Sequence, residues 1–150
     1  MAGIVDPNTL KNQPLFCEMT QTELENTAPA FFEKKFTAGA VLFVEGMIGE
    51  VLYLIEKGLV EIVRNGKDGR EVVLATLKPG EFLGEMSLLD NLPRTATART
   101  SGETVCLAMT KKSFHQLVEK HPGIAVKLLM MFLRTANDRL RKANESIKQI

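Results

Sequence analysis

The sequence carries almost no surplus charge: 19 Lys+Arg face 18 Asp+Glu across 150 residues. A chain so balanced has no overall field to draw it onto nucleic acid or an anionic membrane, though a total says nothing of local patches. It also lacks a long apolar run. The longest, Leu128–Leu133, is about a third of the roughly 20 residues a membrane-spanning helix needs. The first residues show neither the basic start nor the apolar stretch of a secretory signal. Cysteine is scarce, with Cys17 and Cys106 far apart and no zinc-ligand spacing. Free thiols in a cytoplasmic protein are the favoured reading over a disulfide. Histidine is limited to His115 and His121, on or beside a predicted helix and far from any paired nucleophile. With no triad, paired-acid or metal motif, no enzyme is expected.

The 45% hydrophobic content is enough for one domain with a proper core. Residues 1–17 read as a loose leader, punctuated by Pro7, Pro14, Asn8 and Asn12. Residues 18–150 read as a single domain in three parts. The first, 18–35, is helical: Thr20-Gln21-Thr22-Glu23 fits a capping box, and Pro29 breaks or kinks the helix before Phe31 and Phe32. The second, 36–110, is punctuated by glycines between short runs rich in Val, Ile, Leu and Thr. Strands are predicted at Val41–Val44, Val51–Glu56, Leu59–Arg64, Val72–Leu77, Thr95–Thr100 and Thr104–Met109. Asn65-Gly66-Lys67-Asp68-Gly69 is a strong hairpin turn, because Asn-Gly and Asp-Gly tolerate positive φ.

The third part, 111–150, is two helices. Phe114, Leu117 and Val118 stand at helical spacing, and His121-Pro122-Gly123 ends that helix. In the second helix Leu129, Leu133, Ala136, Leu140, Ala143, Ile147 and Ile150 alternate spacings of four and three. That heptad stripe fits either a parallel homodimer seam or a simple cover for the β-layer; Leu128 to Phe132 are expected on the β-layer and Ala136 to Ile150 on a partner. The fold class expected is mainly β with flanking helices: an antiparallel β-roll of the double-stranded β-helix or jelly-roll type, an N-terminal helix, one short inserted helix and two C-terminal helices.

Residues 79–97 hold the unusual chemistry. A glycine (Gly84) precedes an acid (Glu85), about one turn of helix former follows, and Pro93-Arg94 opens another strand. A glycine entering a short helix leaves backbone N–H groups facing outward as an anion site. Arg94, if Asp90–Pro93 loops back, can offer two anionic oxygens a planar fork. Glu85 beside an anion is unfavourable unless it accepts a hydrogen bond. A ligand with both a phosphate and a hydroxyl satisfies all three features. On composition alone, a surface turn with a Glu85–Arg94 salt bridge is the plainer reading.

Phe82-Leu83-Gly84-Glu85 and Pro93-Arg94-Thr95-Ala96 closely resemble the phosphate-binding cassette of the cyclic nucleotide-binding domain family, here residues 82–97. Upstream, Glu45-Gly46, Gly49, Leu52-Tyr53-Leu54-Ile55 and Gly58 resemble the family's glycine-turned strands. Downstream, Phe114 to Pro122 and the final stretch look like its B and C helices. The resemblance covers about residues 18–145. It implies Glu85 on the ribose 2′-hydroxyl and Arg94 on the cyclic phosphate. Amides around Met86, Ser87, Thr95 and Ala96 would complete the cradle. Val72 and Leu74 resemble the apolar wall against the base, with ordinary core packing as the alternative. Arg139, Thr135 and Asn137 are the candidates to cap the base from the last helix, since no aromatic follows Phe132.

The ligand implied is cyclic AMP or cyclic GMP, which Thr95 does not decide, with no cofactor or metal. The function implied is a sensor that couples capture to movement of its C-terminal helices and so regulates an unidentified effector. No DNA-reading segment follows residue 150, so DNA binding by this chain is not expected. A nucleotide-independent interaction module of the same fold is the alternative. Intact Glu85, Arg94 and Thr95 argue against it.

Overall fold

The run Leu52-Tyr53-Leu54-Ile55 is buried on both faces, and that fixes the layering. In the computed structural model, which describes residues 4–148 and side chains through residue 145, this run is the centre of strand β3 (Val51–Lys57). Leu52 and Leu54 face a helical layer, in one cluster with Leu107, Met109, Phe114 and Phe132. Tyr53 and Ile55 face a second sheet, in another cluster with Val60, Leu77, Ala98 and Cys106. A strand covered on both sides reads as a continuous apolar run rather than an alternation.

The first sheet has the order β1-β8-β3-β6, with β1 Phe32–Phe36, β6 Phe82–Leu83 and β8 Thr104–Thr110. The second has the order β2-β7-β4-β5, with β2 Val41–Phe43, β4 Val60–Asn65, β5 Glu71–Leu77 and β7 Thr97–Thr100. All the pairings are antiparallel. The β4–β5 hairpin turns where expected, with Gly69 at φ +77°. The expected β-roll with flanking helices is the architecture found.

Two strands were not expected. Phe32–Phe36 leaves the predicted helical part and pairs with β8 as β1, and the two-residue β6 pairs with β3. The capping box is present: Glu23 N donates to Thr20 Oγ1 at 3.2 Å and Thr20 N to Glu23 Oε1 at 3.0 Å, opening α2 (Gln21–Thr27). Pro29 sits in the 3-10 turn Ala28–Ala30 that ends it.

The expected loose leader is corrected over its described residues. It folds as α1 (Pro7–Lys11), capped by Asp6, and a 3-10 turn at Pro14–Phe16. Leu10, Leu15 and Phe16 are buried, and the Phe16 ring meets Phe31 edge-on at 5.5 Å. Three apolar residues that reach the core outweigh the local breakers, because burying each gains about 1.5–3 kcal/mol.

Helix α4 (Lys111–Lys120) is capped by the Thr110 hydroxyl, and α5 runs Pro122–Lys148. Leu128 and Phe132 are buried against the β-layer as expected. Beyond Phe132 the described residues of α5 are exposed apart from half-buried Thr135. Ile147 and Ile150, expected on the heptad stripe, lie outside the residues whose side chains are described. Among the described residues no helix is long and apolar enough to cross a membrane. Both cysteines are free: Cys17 is exposed, and burial pushes the Cys106 thiol up to about 12.

Candidate functional site

A cavity of about 420 Å³ opens between the second sheet and the segment joining β6 to β7. That segment begins at Gly84, where φ is +84°, a conformation that favours glycine. The chain then makes the single turn of α3 (Met86–Leu89), with Glu85 at its N-cap position. Leu88 anchors α3 in the core cluster that also holds Leu117 and Phe132. The chain then returns through Pro93-Arg94 to β7. Gly46 N donates to the Arg94 carbonyl and Arg94 N to the Met47 carbonyl, each at 2.8 Å.

Arg94 is 8% exposed, rare for a guanidinium. Its Nη2 donates to the Val51 carbonyl at 3.0 Å, and its Cζ lies 4.1 Å from the centre of the Phe43 ring. Its Nε is buried with no partner. Two glycines make room for it. A Cβ at Gly49 would overlap the guanidinium, and one at Gly84 would lie 2.6 Å from the Val51 carbonyl and 2.9 Å from Nη1. Burial lowers the pKa of Arg94, while the charges of Tyr53 and Glu85 oppose the shift. A buried cation with a free donor is a costly arrangement unless something anionic meets it.

Glu85 is 6% exposed and lines the same cavity. Its ionic partner is not Arg94, as composition alone suggested, but Arg139 from α5. Arg139 Nη1 donates to Glu85 Oε1 at 3.1 Å and Nη2 to the Phe82 carbonyl at 2.8 Å. Gly84, Glu85, Met86, Ser87, Arg94, Thr95 and Ala96, expected around the phosphate and ribose, and Arg139, expected as a candidate to cap the base, all line one cavity. The Ser87 amide, expected to face an anion, already donates to the Gly84 carbonyl at 3.2 Å.

Val72 and Leu74 are corrected. Neither lines the cavity nor packs in the core; they are 48% and 56% exposed. The wall is built by Phe43, Ile62, Ala75, Leu77 and Leu83 instead. The β4–β5 register shifts here, from Ile62 opposite Ala75 to Val63 opposite Val73, so simple alternation does not run through β5 and Val72 and Leu74 fall outside the wall. Of the other cap candidates, Thr135 lines a separate cleft beside Pro14 and Leu15, and Asn137 is exposed. Gly49 and Phe43, which seat Arg94, were not identified as site residues in the sequence. A contact across so many residues leaves no local signal.

A model of the cyclic nucleotide-binding domain matches residues 33–121. The chain is 34% identical over 135 residues to the cyclic AMP receptor protein of Thermus thermophilus, covering 90% of this chain and 61% of that one. It is 32% identical over 109 residues to the cAMP-dependent protein kinase regulatory subunit of Yarrowia lipolytica, covering 73% and 28%. Among solved structures, the Thermus thermophilus catabolite activator protein matches 91% of this chain and 62% of its own, at 33% identity and a TM-score of 0.76. A cyclic nucleotide-binding domain from Methylobacillus flagellatus gives a TM-score of 0.83 over 93% of this chain and 79% of its own. At 24% identity it speaks to the fold alone. The chain belongs to the cyclic nucleotide-binding domain family. It spans only part of the curated relatives it matches, 61% of the Thermus receptor and 50% of a cAMP-activated regulator from Mycobacterium tuberculosis.

Proposed function

We propose that this chain is a cyclic-nucleotide sensor, binding cyclic AMP or cyclic GMP between Arg94 and Glu85 and passing occupancy to α5. The observation that carries this reading is the buried guanidinium of Arg94, with its unpartnered Nε, beside a cavity that also presents a carboxylate. A cyclic phosphodiester bears one negative charge, which one arginine and nearby amides neutralise. Glu85 then accepts the ribose 2′-hydroxyl, and Ile62, Ala75 and Leu77 give the base an apolar wall. Similarity to the Thermus cyclic AMP receptor protein and to the Yarrowia cAMP-dependent protein kinase regulatory subunit favours cyclic AMP. The chemistry proposed is capture rather than turnover.

The route outward runs through packed side chains. Phe82, just before Gly84, lies 5.3 Å from Phe132 of α5, which lies 6.4 Å from Phe114 of α4. A phosphate that draws in α3 therefore presses on the junction of the last two helices. A ligand shifts such an equilibrium only by its differential affinity for the two states. The output is α5 acting on a second copy or on an effector protein. Its exposed Val126, Leu133 and Leu140 recur every seventh residue and supply the apolar seam.

Calorimetry with cyclic AMP and cyclic GMP, on the native protein and on Arg94→Ala, tests the reading. The native protein should bind at least one of the two. Arg94→Ala should lose about 2–5 kcal/mol, because the phosphate is left unpaired. Absence of heat and of thermal shift at high ligand concentration would instead favour a nucleotide-independent interaction module.

A further inference from the structure

A second cavity, of about 440 Å³, is lined chiefly by β2, the edge strand of the second sheet, and by the loop that leads from it to β3. It is about as large as the first and shares only Phe43 and Arg94 with it. Those two side chains are stacked, with the Arg94 Cζ 4.1 Å from the Phe43 ring centre, and form the partition between the cavities. Val41, Val44, Met47 and Ile48 make the lip. Each is between 43% and 62% exposed, which puts four large apolar side chains in water within eight residues. A protein surface seldom gathers so many unless something covers them.

The chemistry of the lining selects the occupant. Its two charges, Glu50 at the exposed lip and Arg94 in the partition, cancel, so a neutral guest leaves no charge unpaired. The rings of Phe43 and Tyr53 offer an aromatic guest stacked or edge-on contact. One hydroxyl interrupts the apolar side chains. Tyr53 is 5% exposed, and its Oη donates to the Leu42 carbonyl at 3.5 Å, the outer limit of a hydrogen bond. Burial pushes this phenol above its ordinary value of 10, so it stays protonated. Its proton is committed, while among the described residues no donor reaches the oxygen, whose lone pairs stay available. An apolar cavity with one such group takes an apolar ligand with one group to match.

We infer that this cavity is a binding site for a small, neutral aromatic molecule that carries a single N–H or O–H donor and hydrogen-bonds Tyr53 Oη. Its occupancy reaches the first cavity through the Phe43–Arg94 partition, a coupling that rests on the cyclic-nucleotide reading. A guest on this side removes water from a guanidinium that is already buried, which is costly while the cation lacks an anion. A cyclic phosphate on the other side lowers that cost. The guest therefore binds more tightly to the nucleotide-loaded protein, and by reciprocity the nucleotide binds more tightly to the guest-loaded one.

Indole is the probe, compared with 1-methylindole, which lacks the donor, and with benzoate, which is an anion. Methyl NMR separates the two cavities, because Ile48 lines only the second and Ile62 only the first. Indole should shift the Ile48 methyl saturably, with a dissociation constant of about a millimolar or tighter. 1-Methylindole should bind about threefold to tenfold more weakly, and Tyr53→Phe should bring indole down to the same level. Val44→Trp, which fills the cavity from its lip, should abolish the shift. Calorimetry should show saturating indole raising the affinity for cyclic AMP about fivefold in the native protein and not in Val44→Trp. No saturable shift at Ile48, native-like binding by Val44→Trp, or benzoate bound as tightly as indole overturns the site. Equal binding of indole and 1-methylindole overturns the part given to Tyr53, and an unchanged affinity for cyclic AMP overturns the coupling. If indole binds at Ile48 but no cyclic nucleotide binds at all, the cyclic-nucleotide reading fails and takes the coupling with it, while the second site stands.

Discussion

Glu23 and Lys127 tie α2 to α5: Lys127 Nζ donates to Glu23 Oε1 at 2.6 Å, the oxygen that also accepts the Thr20 amide of the capping box. The same Nζ donates to the Glu18 carbonyl at 2.9 Å, and Arg134 pairs with the Glu18 carboxylate at 3.1 Å. The N-terminal segment is thus fastened along the first half of α5.

This pair predicts a pH dependence. The Lys127 hydrogen bond, then the Thr20 amide, hold the Glu23 carboxyl below its ordinary value of 4.5. An acid with a lowered folded pKa stabilises the fold above its unfolded value, and that contribution is lost as pH falls through the folded one. Glu23→Gln keeps a capping oxygen and removes the charge. It should lose about 0.2–1 kcal/mol at neutral pH. Urea titrations should show the two proteins converging in acid, once the carboxyl is protonated.

The glycines that seat Arg94 should fail differently. At Gly84 an alanine meets both a positive φ and the Val51 carbonyl, so Gly84→Ala should lose about 1–3 kcal/mol of stability as well as affinity. Gly49→Ala collides with the guanidinium itself. It should weaken cyclic-nucleotide binding about tenfold or more by displacing one charge-assisted contact, with a smaller change in the denaturation midpoint. Equal stability losses for the two variants would contradict the seating of Arg94 described above.

The corrected face of β5 is open to a direct check. Ala75→Leu narrows the cavity and should raise the dissociation constant for either cyclic nucleotide. Leu74→Ser, pointing away, should leave affinity within about 0.5 kcal/mol of native, as for other surface substitutions.

If α5 is the dimer seam, Leu133→Glu with Leu140→Glu should yield a folded monomer by sedimentation at a concentration where the native protein sediments as a dimer. Both side chains are exposed, at 66% and 59%, so the fold itself should not suffer. A native protein that is monomeric with and without ligand would dispose of the homodimer.

What could be read in the sequence was whatever lies close along the chain. Thr20 and Glu23 are three residues apart, and Gly84, Glu85 and Arg94 fall within one short segment, so the capping box and the meeting of those three at one cavity were legible. The face of β5 did not show, because Val72-Val73-Leu74-Ala75 is apolar throughout and nothing local marks the register shift opposite Ile62 and Val63. Strand β1, Phe-Glu-Lys-Lys-Phe, has little strand character of its own and takes its conformation from pairing with β8. Leu10, Leu15 and Phe16 sit among breakers, and their burial in the core outweighs them. Arg139 was named as a candidate to cap the base, and the structure pairs it with Glu85. Its bond to Glu85 spans 54 positions, a separation at which sequence spacing carries no geometry.

The contrast between the two cysteines offers an experimental opening. A thiol pushed up to about 12 inside the sheet layers stays protonated and shielded in ordinary buffers, so Cys106 will ignore maleimides while the exposed Cys17 reacts. The native protein therefore arrives with a single addressable attachment point, next to the Glu18 whose carboxylate grips α5. A fluorophore placed there would test whether that grip changes when a cyclic nucleotide is added, with no engineered residue in the way.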